Sequence, residues 1–356
     1  MKRILCLIEN LGSGGAERQL TGLAVMLKKR GYQVEVCYYV KNEFYLPYLQ
    51  ENGIKSLCLS DAINFWKRFL LIRKYINAYQ PDTVISYSAS TSMITCFLKL
   101  LGANYHLIVS ERNTTQKLNI RERVKFSLYR WANYIVPNSH SQGVFIAQNF
   151  PKFNHKIRII TNYVDIIKFS PTNIKCENDV IRMLCVGRLM PQKNIPLFIE
   201  AISKVVDNHY KIRVDWYGQD LRDAYSQECH GAIDLYHLHD VFQFHEPSSN
   251  IHELYPISDV FCLPSLYEGF PNVLCEAMSC GLPVLCSQVC DNPYIVNSGQ
   301  NGFLFDPSDS TDIALTIERY LLLNHDEKRQ MGCRSREIAV EMFSEDKFIN
   351  RYLDII

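Results

Sequence analysis

Two kinds of apolar pattern alternate along the chain, and the alternation runs through it twice. Short apolar runs of four to nine residues are separated by segments whose apolar positions recur every three to four residues. The short runs read as buried strands and the longer segments as amphipathic helices. In the first half strands are predicted at 3–8, 33–40, 82–86, 105–109, 133–136 and 157–160, and helices at 16–30, 65–79, 88–100 and 119–132. The second half restarts at "IRMLCVGRL" (181–189) and continues through 212–217, 241–244, 259–263 and 283–286. Strands alternating with helices imply parallel sheets covered on both faces, an α/β class with two doubly wound, Rossmann-like domains. The length, 356 residues, exceeds what one core usually serves, in line with that count. The expected domains are 1–165 and 181–342, joined by a polar, turn-rich linker at 166–180. No repeat of solenoid period interrupts the pattern.

Composition removes several classes. The apolar start "MKRILCLI" is broken by Glu9 and Asn10 before it reaches signal or membrane-span length, and no later run approaches about 18 uninterrupted apolar residues. It reads as a first strand. The 13 cysteines are odd in number and never spaced C-x-x-C, so they suggest buried thiols of a reducing cytoplasm, not a disulfide framework. Cys275, Cys280, Cys286 and Cys290 fit no zinc spacing, and His237, His239, His245 and His252, with no carboxylate or cysteine at ligand spacing along the chain, read as loop and surface residues. The formal net charge of +1 hides a polarity: residues 1–170 carry 23 lysines and arginines against 10 carboxylates, and residues 171–356 carry 15 against 27. Without a nucleic-acid motif, a basic first half points to anionic headgroups or a phosphorylated substrate.

In doubly wound domains ligands gather at the carboxyl ends of strands, so loops that follow strands carry the candidate chemistry. "ENLGSGGAERQL" (9–20) opens the first helix, and Gly12, Gly14 and Gly15 would allow close backbone approach to a phosphate or an acceptor. It is not the dinucleotide fingerprint, because Glu17 stands where the third glycine belongs. "VGRLMPQKNI" (186–195) sends out Arg188 and Lys193 together, a fork and a point charge suited to a diphosphate, with Asn194 available to cap the next helix. "PSLYEGFPNVLCEAMSCGLPV" (264–284) places Glu268 on a loop and Glu276 on the second turn of a helix begun at Pro271 and closed by Gly281. The Gly269 and Phe270 amides, with Asn272 and Val273 behind them, stand at that helix's start. Each loop read singly also allows a structural role: a turn glycine, a solvated cation, or an acid complementing a helix dipole.

Together these stretches resemble the retaining glycosyltransferases of family 4, which have the two-domain GT-B fold. "GGAERQL", "TNYVD" and "NGFLFDP" support the likeness in order, over nearly the whole chain. The resemblance implies that the second domain binds a nucleotide-sugar donor and the first an acceptor. Arg188 and Lys193 would then hold the diphosphate, Glu268 the sugar and Glu276 the ribose; Gly14, Gly15, Gly269, Phe270, Asn272 and Val273 would line the donor. It also implies that a last segment, 343–356, crosses back to the first domain. Two positions depart from the family pattern. Tyr294 stands where many relatives carry a glutamate, and "VSERNTT" (109–115) replaces a histidine, making Glu111, Arg112 and Asn113 the acceptor-side candidates. That form is similar to members building bacterial surface polysaccharides from galactose-type or N-acetylhexosamine donors.

The expected reaction is transfer of a hexose or N-acetylhexosamine from a UDP-linked sugar to a lipid-linked saccharide. No D-x-D triplet occurs, so no cofactor and no metal is expected, and cations with helix amides would meet the leaving-group charge. At helical spacing Phe65, Phe69, Ile72 and Ile76 share one face, which reads as core, while the basic, aromatic segments 64–79 and 121–131 suggest peripheral contact with the inner face of a plasma membrane from a cytoplasmic location. Two alternatives stay open: transfer to a soluble sugar, and a nucleotide-sugar-binding subunit without activity.

Overall fold

Alternating side chains along the central strands assign one set of residues to each face of a sheet, and this alternation builds four apolar layers. The computed structural model describes residues 1–59, 64–115, 117–172 and 180–356; residues 173–179 of the expected linker lie outside them. It divides into two compact units, Met1–Tyr163 with Asp346–Ile356, and Val164–Glu345.

In the first unit the strands are β1 (Arg3–Leu7), β2 (Gln33–Tyr38), β3 (Lys55–Cys58), β4 (Thr83–Ser86), β5 (His106–Glu111) and β6 (Tyr134–Pro137). They form a parallel sheet in the order β3-β2-β1-β4-β5-β6. Ile4, Cys6 and Ile8 join one core layer and Leu5 and Leu7 the other, the period of two that a strand imposes. Phe348, Ile349 and Tyr352, from the last helix Glu345–Leu353, pack into the first of these layers with Leu20 and Leu23.

The second unit repeats the plan with β7 (Ile181–Val186), β8 (Ile212–Tyr217), β9 (Phe242–His245), β10 (Val260–Leu263), β11 (Val284–Ser287) and β12 (Gly302–Phe305). Their order is β12-β11-β10-β7-β8-β9, again parallel. Met183 and Cys185 face one layer while Leu184 faces the other.

Three sequence expectations change. Residues 157–160 form no strand: Arg158 and Ile160 donate to Ile135 and Pro137 carbonyls at 3.0 and 3.1 Å, but Pro137 has no N–H to return. The edge strands β3 and β12 were not anticipated; β3, Lys-Ser-Leu-Cys, has no fully buried position to mark it. β12 begins at Gly302, where a Cβ would stand 1.8 Å from the Val284 carbonyl oxygen, so the strands pair closely only because that residue is glycine. The face Phe65, Phe69, Ile72, Ile76 is buried in its last three members, whereas Phe65 is exposed.

Candidate active site

The winding of the second sheet reverses between β7 and β10, which pair directly although the chain visits β8 and β9 between them. At such a reversal the following loops diverge and leave a crevice at the strands' carboxyl ends. Here they are 187–194 and 264–271, the loops carrying Lys193 and Glu268.

Gly187 opens the first loop, its carbonyl accepting from the Trp216 indole N–H at 2.7 Å. A Cβ at this position would come within 2.8 Å of Lys193 Cε, so the glycine leaves room for the lysine stem. The 3-10 turn Pro191–Lys193 then carries Lys193 inward, and its Nζ meets Glu268 Oε1 at 2.6 Å with both side chains buried. A charge withdrawn from water is costly unless it is closely paired. Gln192 fastens the loops further: its Nε2 donates to the Tyr267 carbonyl at 2.7 Å, and its own carbonyl accepts from Leu266 N–H at 2.8 Å. Behind Glu268, its backbone N–H donates to Cys290 Sγ at 3.4 Å. Cys290 sits at φ 49, and burial pushes its thiol pKa up, so it accepts as a neutral thiol. Asn194 does not cap the next helix with its side chain. Its backbone is left-handed, φ 58, and its Nδ2 donates to the Pro307 carbonyl at 2.7 Å.

The helix Asn272–Ser279 starts at Pro271 without a side-chain cap. Asn272 N–H turns back to the Phe270 carbonyl at 2.9 Å, while the N–H groups of Gly269, Phe270 and Val273 make no hydrogen bond among the described residues. Unpaired amides at the positive end of a helix dipole favour an anion. Phe270 contributes only backbone, since its ring is buried edge-on against Phe343 at 5.9 Å. Glu276 is buried on the second turn, accepting from the Tyr255 hydroxyl at 3.2 Å. At the helix's other end Arg336 donates to the carbonyls of Ser279, Phe169 and Ile166 at 2.6, 2.9 and 3.0 Å. A cation there complements the negative end of the dipole. Arg188 leaves the loop of Lys193 exposed, with no hydrogen bond or ion pair among the described residues. Tyr294 is exposed.

The candidates in the first unit are held differently. Glu111, at the end of β5, is buried; one oxygen meets Lys125 Nζ at 2.8 Å and the other accepts from the Tyr129 hydroxyl. Arg112 donates to Asn162 Oδ1 at 2.7 Å, to Tyr352 Oη at 2.8 Å and to Tyr87 Oη, and lies 4.1 Å over the Tyr87 ring. It thereby binds the last helix to β5. Asn113 alone of the three is exposed. At Gly14, the start of the helix Gly15–Lys29, a Cβ would stand 2.2 Å from Glu17 Oε2. The carboxylate of Glu17 therefore lies over the helix start proposed for a phosphate, and burial raises its pKa.

Residues 13–168 match the profile described as Glycosyltransferase Family 4, and residues 169–337 that described as Glycosyl transferases group 1. An Escherichia coli UDP-Gal:alpha-D-GlcNAc-diphosphoundecaprenol alpha-1,3-galactosyltransferase is 33% identical over 286 residues, 72% of this chain and 70% of that protein. The chain belongs to glycosyltransferase family 4. A second match, 27% identical to a colanic acid biosynthesis glycosyltransferase of Salmonella typhimurium, spans 56% of this chain and only 50% of that protein. The crystal structure of Anabaena Alr3699/HepE in complex with UDP and glucose superposes with a TM-score of 0.85 at 20% identity, covering 99% of both chains. The two Rossmann-like units of this family 4 transferase are thus those of the GT-B fold. No helix among its described residues is long and apolar enough to cross a membrane.

Sequence reasoning missed Gln192, Tyr255 and Cys290. None lies on a periodic face or in a spacing with chemical meaning, and each is marked only by its partner in space.

Proposed function

We propose that this transferase moves a hexose or N-acetylhexosamine from a UDP-sugar to a lipid-linked saccharide during surface-polysaccharide assembly, with retention and without a metal ion. The observation that carries the donor reading is the Lys193–Glu268 pair at the reversal of the second sheet, beside the unpaired amides of Gly269, Phe270 and Val273. Breaking the bond from the anomeric carbon to the diphosphate oxygen puts negative charge on the leaving group. Amides, Lys193 and Arg188 stabilise it where it develops. In the proposed step the acceptor oxygen bonds to the anomeric carbon on the face the diphosphate leaves, and its proton passes to the departing phosphate oxygen. Glu268 orients the sugar and Glu276 accepts from ribose hydroxyls. UDP as the nucleotide is supported by the galactosyltransferase and the Alr3699/HepE complex.

Calorimetric titration with UDP, GDP and ADP, in EDTA and again with magnesium, tests this. Selective UDP binding that survives EDTA and weakens at least about tenfold in Glu276→Ala is expected, the size of a lost charged hydrogen bond. Folded protein that binds no nucleotide sinks the donor site.

The lipid-linked acceptor is supported by the helix Phe65–Tyr79. It exposes Trp66 (62%) and Leu70 (60%) beside Lys67, Arg73 and Lys74, apolar groups flanked by cations as a headgroup region accommodates them. Wild type is expected to sediment with anionic vesicles and not with neutral ones, and Trp66→Ser/Leu70→Ser to stay in the supernatant. Equal sedimentation with both vesicle types counts against membrane contact.

A further inference from the structure

The loop that carries Glu268 leaves β10, which stands between β7 and β11 in the second sheet. On the β7 side Gln192 and Lys193 fasten it. On the β11 side a tight turn, 287–292, fastens it at two points: Ser287 Oγ donates to the Ser265 carbonyl at 2.6 Å, and the Glu268 N–H donates to Cys290 Sγ at 3.4 Å. Asn292 closes this turn. Its Nδ2 donates to the Ser287 carbonyl at 2.8 Å and its N–H to the Val289 carbonyl at 3.1 Å, so the chain returns on itself around Cys290. Cys290 is thereby held at φ 49, a left-handed conformation that a side chain disfavours and that persists only where its surroundings fix it.

Stability does not account for the asparagine. Asn292 is fully buried, and its Oδ1 has no hydrogen-bond partner among the described residues, an arrangement that costs free energy. The Ser287 carbonyl that it serves also accepts from the Val289 N–H at 2.9 Å, so that carbonyl keeps a partner without Asn292. What the Asn292 amide supplies is geometry. We infer that Asn292 is a positioning residue for Glu268: it closes the turn, the closed turn holds the Cys290 thiol on the Glu268 N–H, and this contact, with Lys193 on the other side, fixes the carboxylate toward the donor sugar. The inference rests on the reading that Glu268 orients the sugar, and deepens it by naming what holds Glu268 in place.

The test compares wild type, Asn292→Leu, Cys290→Gly and the double variant in the full chain, with UDP-galactose or UDP-N-acetylgalactosamine as donor and a farnesyl-diphosphate-linked N-acetylhexosamine as acceptor. Asn292→Leu keeps the volume and removes the unpaired oxygen, so its urea midpoint and UDP affinity should stay near those of wild type. Its kcat should fall about 10- to 100-fold, the loss that a misplaced group brings. Because both residues act through one contact, the double variant should lose no more than the worse single variant, whereas independent effects multiply to within about twofold. Cys290→Ser, which keeps an acceptor beside Glu268, should recover most of the turnover lost by Cys290→Gly. Turnover of folded Asn292→Leu within about threefold of wild type, multiplied losses in the double variant, or a urea midpoint that falls along with turnover each overturns the inference. Where Asn292→Leu does not fold, equal turnover in Cys290→Gly and Cys290→Ser overturns it. Amide hydrogen exchange reads the contact without any reaction. Exchange across 264–271 should quicken in Asn292→Leu and Cys290→Gly and not in Cys290→Ser; unchanged exchange in Asn292→Leu overturns the inference. If Glu268→Gln turns over like wild type, the sugar-orienting role of Glu268 fails, and the exchange comparison still decides the link from Asn292.

Discussion

Lys193→Ala is expected to lower kcat by about 10²-fold, the loss typical of one preorganised donor to a developing oxyanion. The motive is the 2.6 Å contact to Glu268 at the crevice between β7 and β10. The same substitution leaves Glu268 buried without its partner, which costs roughly 3–5 kcal/mol of stability. Activity alone therefore cannot separate chemistry from folding. Lys193→Met/Glu268→Gln separates them, because it removes both charges and keeps the volume. The double variant should regain most of the urea midpoint lost by Lys193→Ala while its turnover stays low. Turnover within about threefold of wild type in a folded single variant would remove Lys193 from the charge-stabilising role. Recovery of turnover along with stability in the double variant would make the pair structural.

The second large effect belongs to the first unit. Lys125→Met should destabilise the protein by roughly 3–5 kcal/mol, because Glu111 keeps its carboxylate buried with only the Tyr129 hydroxyl in place. Pairing the change with Glu111→Leu removes the stranded charge and is expected to restore most of the loss, since well-packed apolar replacements of buried ion pairs are often neutral. Urea unfolding of wild type, single and double variants reads this directly. A single variant within about 1 kcal/mol of wild type, the range of an exposed pair, would mean that water reaches Glu111.

Legibility from sequence differed by residue for identifiable reasons. The helix Phe65–Tyr79 was read to its ends, because a period near 3.6 is local; the structure adds the Asn64 cap, which accepts from Trp66 N–H at 2.9 Å. Glu268 before the helix and Glu276 on its second turn follow from Pro271 and from Gly281, which takes φ +76. The strand β12 was missed, although other four-residue strands were read, because it opens on Gly302 between the turn residues Asn301 and Asp306 and so resembles a loop. Arg112 was read as a cation at a ligand site. Its side chain meets Tyr87, Asn162 and Tyr352, the last 240 positions away, and no local pattern encodes such a partner. Glu17 shows the same limit one turn from its own glycines. Its identity rules out a dinucleotide fingerprint, but that its carboxylate lies over Gly14 depends on a side-chain rotamer.

What the sequence by itself determined is the two-fold strand and helix alternation, the loops that carry Arg188, Lys193, Glu268 and Glu276, and the family to which they point. Periodicity, caps and turn residues act over a few positions, so one chain read in order suffices for them. Only the tertiary structure decided which charges are already answered. Lys193 is paired with Glu268, 75 residues on, and Glu111 with Lys125, whereas the exposed Arg188 makes no ion pair among the described residues. The difference is physical. Ion pairing and desolvation depend on distance and burial in space, which sheet order sets and residue order does not.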